Sequence, residues 1–351
     1  MQHSVVSKMI SFSTQQRDTN KKRDESLDYI KGVLIFLVVY GHSLCWMGVN
    51  IQKPFNFIAL FIYSFHMPLF VFLSGYFFSP MKRNDVAETL HKKYKRLIQP
   101  HLFFNLIMII PIFCFWEQFG HFLTRESNGI ITPKSIYLYI TMFWYLWCIF
   151  LSSMICNIIY TNISFQPGSH CLIIALLLFT ISTFSSIRFV LVHQRMADMF
   201  LYFVIGMYAY DYHRKHSNIN IQYLILIPLI IFSVYLCYLY CMDGIISSLI
   251  KEIGQLGGIF VFLYFFRTLY RINFFKYFFL FLSKWTLGIY IYHFVLFYGL
   301  MEWYNDTLYF LGNFIIIANL FTTIISTLLI SFMTYLLNRN SFIRKYALGN
   351  K

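Results

Sequence analysis

The stretch LDYIKGVLIFLVVYGH, Leu27 to His42, decides how the rest of the chain is read. It opens with charge at Asp28 and Lys31, continues as an apolar run, and sets Gly41 and His42 about halfway into a helix long enough to cross a bilayer. Lys31 and His42 are eleven residues apart, and at about 100° per residue the helix returns to within about 20° of the same face. The two share one stripe, separated by roughly 16 Å along the axis. That puts Lys31 at the mouth of the membrane and His42 near its middle. Asp28 joins the stripe one turn further toward water. The spacing suits a mouth that holds an anion and a deeper base that does chemistry.

Composition agrees with a membrane setting. The chain is 58% hydrophobic and 21% aromatic with only 12% charged residues, far from the soluble average. It reads as an all-α integral membrane protein. Apolar runs able to cross about 30 Å of hydrocarbon fall at 30–49, 56–79, 97–116, 136–160, 170–187, 197–212, 220–241, 253–270, 284–301 and 308–337, which gives about ten transmembrane helices. The aromatic piece 273–283 is too short to span and is expected to lie as a helix at the interface. With ten spans, 22 of the 28 Lys and Arg residues fall on the side that holds both termini, leaving six opposite. By the positive-inside rule both termini are cytoplasmic. The formal charge of +14 is therefore a topogenic signal and requires no nucleic acid. Residues 1–23 are polar and are expected to form a disordered cytoplasmic tail, 24–338 the membrane domain, and 339–351 a second short cytoplasmic tail. The seven cysteines sit in apolar runs without a metal-type pair, so neither a disulfide framework nor a metal site is expected.

Four segments, the opening stretch among them, carry candidate chemistry. His42 is an ionisable group well inside a span, and such groups are costly enough to mark function by default, although a histidine there can also bond a neighbouring helix. It is the candidate general base. His66 precedes Pro68 in FHMPLFVFLSGYFF, where Ser74 and Gly75 leave a small surface for a helix or an acyl chain. The basic stretch HKKYKRLIQPH offers Lys93 and Arg96, three apart, as two cations on one face at the cytoplasmic mouth if a helix starts before them. Anionic lipid alone would also explain such a loop. His293, in SKWTLGIYIYHFVLF, is a further buried candidate. Phe143 to Trp147 reads as packing and anchoring, and at most as lining for a sugar-sized cavity.

Together these segments resemble the acyltransferase-3 family of membrane O-acyltransferases, which includes bacterial polysaccharide O-acetylases and fucose 4-O-acetylase-like proteins. LDYIKGVLIFLVVYGH is similar to the family's opening, and FHMPLFVFLSGYFF, KYKRLIQP and LGIYIYH follow in the family's order over nearly the whole chain. Lys31 and Lys93 stand where arginine is more usual, keeping charge but not bidentate phosphate recognition.

The resemblance implies transfer of an acyl group, chiefly acetyl, from acyl-CoA to a sugar hydroxyl of a cell-envelope glycan or its lipid-linked precursor, in a bacterial inner membrane. Acetyl-CoA or another acyl-CoA is the expected donor, and no metal is required. Lys31, Lys93 and Arg96 would hold its phosphates, His42 would be the catalytic base, and Asp28, His66 and His293 would support. The alternative from another class is a transporter or flippase of an anionic or glycan substrate, with the intramembrane histidines relaying protons.

Overall fold

The computed structural model describes residues 24–46, 54–80, 86–114, 130–140, 143–184, 196–215, 226–239, 245–294 and 314–348. The expected tail at 1–23 lies outside them. The described residues form helices and connecting turns, with no strand among them. Six of the helical segments are long and apolar enough to span a membrane, and two shorter apolar helices accompany them. The chain is a multi-pass, all-α membrane protein.

Its segments sort into two compact units that interleave along the sequence. One is formed chiefly by 71–94 and 145–220, the other by 25–70, 95–144 and 221–351.

The second unit is built on α1, Glu25–Trp46. At about 1.5 Å per residue its 22 residues reach roughly 33 Å. Tyr29, Ile30, Leu34, Ile35 and Val39 have no exposed surface, so α1 is covered over most of its surface, as a largely apolar helix should be. Its neighbours are α2 (Pro54–Tyr63), α11 (Ile245–Arg271), α12 (Lys276–Lys284) and α14 (Ile315–Leu337). The N-terminal end of α1 is tied down by polar contacts. The Tyr29 hydroxyl donates to the Phe274 carbonyl at 2.9 Å, the Tyr270 hydroxyl donates to the Glu25 carboxylate at 2.9 Å, and Lys276 lies 4.0 Å from that same carboxylate. Helix α12, the piece expected at the interface, packs Phe279 and Leu282 inward and leaves Tyr277 exposed. Gly32 of α1 lies directly against the Phe279 backbone carbonyl, where no Cβ could fit.

Helix α14 has the inverted pattern of a membrane span. Thr323, Thr327, Ser331 and Thr334 are buried, while Phe321, Ile325, Leu329 and Phe332 face outward. The buried hydroxyls donate to carbonyls one turn back on their own helix, at 2.6 to 2.9 Å. Polar groups at membrane depth must be satisfied internally, and this arrangement does so.

The span expected at 56–79 is broken. Helix α2 ends at Tyr63, Ser64 and Phe65 form a turn, and α3 runs from His66 to Tyr76. Pro68 has no N–H to give the Ser64 carbonyl, which removes one rung where the chain turns. Phe65 is held at the turn by stacking on Phe262 of α11, with ring centroids 3.5 Å apart. The run 136–160 is likewise two helices, α6 (Pro133–Ile140) and α7 (Trp144–Asn162). Half of the span expected at 284–301 is seen as a helix, α13, over 286–294, and 295–301 lie outside the described residues. Beyond the last long helix, α15 (Ser341–Ala347) is capped by Asn340, whose side chain accepts from the Phe342 and Ile343 amides, and it packs on α5 (Gln99–Cys114).

The first unit contains the second half of α3, α4 (Val86–Lys93), α7, α8 (Pro167–Phe184) and α9 (Met196–Lys215). Within it Gly75 of α3 faces the Phe203 backbone carbonyl of α9 so closely that a Cβ is excluded. Helix α9 thus occupies the small surface at Gly75.

Candidate active site

Three histidines gather in the α1-centred unit. His42, from the C-terminal part of α1, presents Nδ1 to the Tyr63 hydroxyl at 2.9 Å. The Tyr63 ring meets the His66 ring edge-on at 5.0 Å. On another side, His42 stacks on His293 of α13, with centroids 5.3 Å apart and planes 29° from parallel, and contacts the Phe294 ring at 5.6 Å. The break in the second span produces this arrangement, because it ends α2 on Tyr63 and begins α3 on His66.

Burial separates the three. His66 and His293 are 1% and 0% exposed, whereas His42 is half-buried. A place well inside the span was expected of His42, and it keeps some exposed surface there. His66 is as buried as the core. Its Nδ1 lies 2.7 Å from the Ile62 carbonyl, and Nδ1 of His293 lies 3.0 Å from the Ile289 carbonyl. A carbonyl can only accept, so in both residues Nδ1 carries the proton.

The surrounding wall is aromatic. Phe143, with no exposed surface, packs on Phe294 at 5.1 Å, on Tyr290 at 5.7 Å and on His101 at 5.2 Å. His101 in turn bonds the Asn105 side-chain amide at 2.9 Å. Phe143 thus serves packing, as its surroundings in the sequence suggested. Ser43, next to His42, bonds Thr323 of α14 at 3.3 Å. Among the described residues, no three His, Cys, Asp or Glu side chains are arranged to hold a metal ion.

Toward the N-terminal end of α1, Lys31 and Asp28 form an ion pair at 3.4 Å, the lysine 30% and the aspartate 11% exposed at their side chains. Both lie on the helix that carries His42. Arg96 belongs to the same unit and is exposed. Lys93 belongs to the other unit, where its ammonium stands 4.8 Å over the Phe78 ring and is half-buried. A helix does start before Lys93, at Val86, but a π turn over Tyr94–Ile98 interrupts the α-helical period on which a shared face relied. The pair thus occupies two different environments.

Sequence reasoning missed Tyr63. Its signal was its place one turn before His66, which in an apolar run of aromatics resembles ordinary packing.

No solved structure matches this chain. It is similar to the nodulation protein NolL of Mesorhizobium japonicum, 29% identical over 150 residues, and to NolL of Sinorhizobium fredii, 30% identical over 137 residues. These alignments cover 40% and 38% of this chain. The chain spans about a third of the length of these curated relatives, 36% in each case. The model of the acyltransferase-3 family, described as an acyltransferase domain, matches residues 24–336, from the first turn of α1 to the end of α14, and the chain belongs to that family.

Proposed function

We propose that this protein is a membrane O-acyltransferase that moves an acyl group, acetyl in the first instance, from cytoplasmic acyl-CoA to a hydroxyl of a cell-envelope glycan or its lipid-linked precursor. The observation that carries the reading is His42: half-exposed, held through Nδ1, and placed on the same helix as the Asp28–Lys31 pair. Membership of an acyltransferase family favours this over transport of the same class of substrate.

In the proposed mechanism Lys31, Lys93 and Arg96 supply cations for the phosphates of coenzyme A, and Asp28 orients Lys31. The acceptor hydroxyl attacks the thioester carbonyl as His42 takes its proton. The C–S bond then breaks and the imidazolium returns the proton to the departing thiolate, leaving an ester and free coenzyme A. His293 supports the His42 ring by stacking on it, and His66 supports it through Tyr63. The protein sits in a bacterial inner membrane as about ten spans with both termini cytoplasmic, the six long helices supplying part of that number.

The test is acyl transfer by purified enzyme mixed with membranes from the producing cells and radiolabelled acetyl-CoA. Loss of a positioned general base costs about 10² to 10⁴ in rate. His42→Ala and His42→Gln should both lose transfer by this margin while eluting as folded protein and retaining acetyl-CoA binding. Incorporation of label at near the wild-type rate by His42→Gln would sink the reading.

A further inference from the structure

His66 and His293 have their Nδ1 protons fixed by backbone carbonyls, but His42 faces a group of another kind. The Tyr63 hydroxyl can give or take a hydrogen bond, so either tautomer of His42 could satisfy the 2.9 Å contact. A base must present its lone pair to the substrate, and only one tautomer does so from a given nitrogen.

The backbone beside His42 supplies a second observation. A Cβ on Gly41 would meet Cε2 of Tyr63 at 3.3 Å and Cγ2 of Ile62 at 3.4 Å. That is tight enough to push the ring back by a few tenths of an ångström. The bare backbone at Gly41 therefore seats the Tyr63 ring against α1, within reach of the next side chain. Tyr63 is also the last residue of α2, immediately before the turn that Phe65 anchors on Phe262, so its backbone is held from the other side as well.

We infer that Tyr63 is the positioning residue of His42: its phenol oxygen accepts the Nδ1–H bond, fixing the ring and leaving Nε2 as the atom that takes the acceptor's proton. This rests on the reading of His42 as the general base. As Nε2 is protonated, positive charge spreads to Nδ1–H and its bond to the phenol strengthens, which is when the transition state needs it. A neutral phenol does this without placing a permanent negative charge at membrane depth, where such a charge is costly. The glycine and histidine of Gly41-His42 thus form one device with a tyrosine from the next helix.

The experiment compares Tyr63→Phe, Gly41→Ala and the double variant with wild type, using label transfer from acetyl-CoA to membranes of the producing cells. Tyr63→Phe keeps the ring and removes only the oxygen. Its maximal rate should fall about tenfold, the worth of one well-placed hydrogen bond, with the KM for acetyl-CoA unchanged within about twofold. Gly41→Ala should also slow the maximal rate. Because both changes act through the same bond, the double variant should be no slower than the slower single variant.

A wild-type maximal rate in Tyr63→Phe overturns the inference, as do additive losses in the double variant. If Gly41→Ala fails to elute as folded protein, Tyr63→Phe decides alone. His42→Gln is run alongside. Its activity tells the two failures apart: an inactive His42→Gln with a normal Tyr63→Phe removes only the role of Tyr63, whereas an active His42→Gln removes the base itself.

Discussion

Substituting Gly32 by alanine tests how closely α1 and α12 are joined, and the sign of the result is informative. On an ordinary helix the change stabilises by about 1 kcal/mol, because alanine is the better helix former. Here the new methyl group would fall on the backbone carbonyl of Phe279, which cannot rotate out of the way as a side chain could. Helix α12 must therefore back off from α1. That loosens the edge-on contacts of Phe279 with Tyr29 at 5.4 Å and with Phe36 at 6.0 Å, and of Phe278 with Phe36 at 6.0 Å. Aromatic pairs of this kind are worth about 0.5 to 1.5 kcal/mol each, and overpacking a filled core costs about 1 to 3 kcal/mol. Set against the gain in helix propensity, the net loss is about 2 kcal/mol. For a chain of 351 residues that lowers the unfolding midpoint by about 3 °C. Thermal unfolding of the detergent-purified protein, followed by tryptophan fluorescence and by the loss of the monodisperse elution peak, measures it. Label transfer should fall as well, since the helix that carries Lys31 and His42 loses its packing against α12. An unchanged or higher midpoint for Gly32→Ala would refute the reasoning, because it would mean that the two backbones are not in contact.

The remaining predictions concern charge and topology. Arg96→Ala, at an exposed position, should raise the KM for acetyl-CoA and leave the melting temperature in place. Lys93→Ala should raise that KM too and additionally cost about 0.5 to 1 kcal/mol of stability from the lost contact with Phe78; an unchanged KM in both variants would return this segment to a purely topogenic role. Lys31→Arg should keep transfer at or above the wild-type level, read by the same label assay, because charge is conserved and a planar fork that can grip a phosphate bidentately is gained. Reporter fusions after residue 351 and near residue 125 should report opposite compartments, and agreement between them would refute the ten-span arrangement.

Much of this was legible in the chain before any coordinates. The helix carrying Asp28, Lys31 and His42 is a single uninterrupted run, so its period alone puts the three on one stripe. The membrane class followed from composition. Breaks within apolar runs were not visible, because hydropathy averages over a window and does not register a two-residue turn such as Ser64–Phe65. Nor does the interval between Ile140 and Trp144 differ in polarity from the helices on either side. The glycines were visible as letters, but what each one admits depends on a partner far away in sequence: Phe279 for Gly32, Phe203 for Gly75, Tyr63 for Gly41. Tyr63 itself was hidden by its company, one aromatic among many in a chain with 27 tyrosines. Only the tertiary fold gives it His42 as a neighbour. The two interleaved units were equally beyond reach, since segments that alternate along the chain leave no shift in composition at their borders.

The hydroxyl stripe of α14 has a mechanical consequence. Thr327, Ser331 and Thr334 each donate to a carbonyl of their own helix, so every one of these groups carries its acceptor with it when the helix moves. Between α14 and α1, the Thr323 hydroxyl lies 3.3 Å from that of Ser43, beside His42. The bonds of these hydroxyls therefore do not oppose a slide or roll of α14 against α1, and Ser43, which meets Thr323 across that interface, is adjacent to the candidate base.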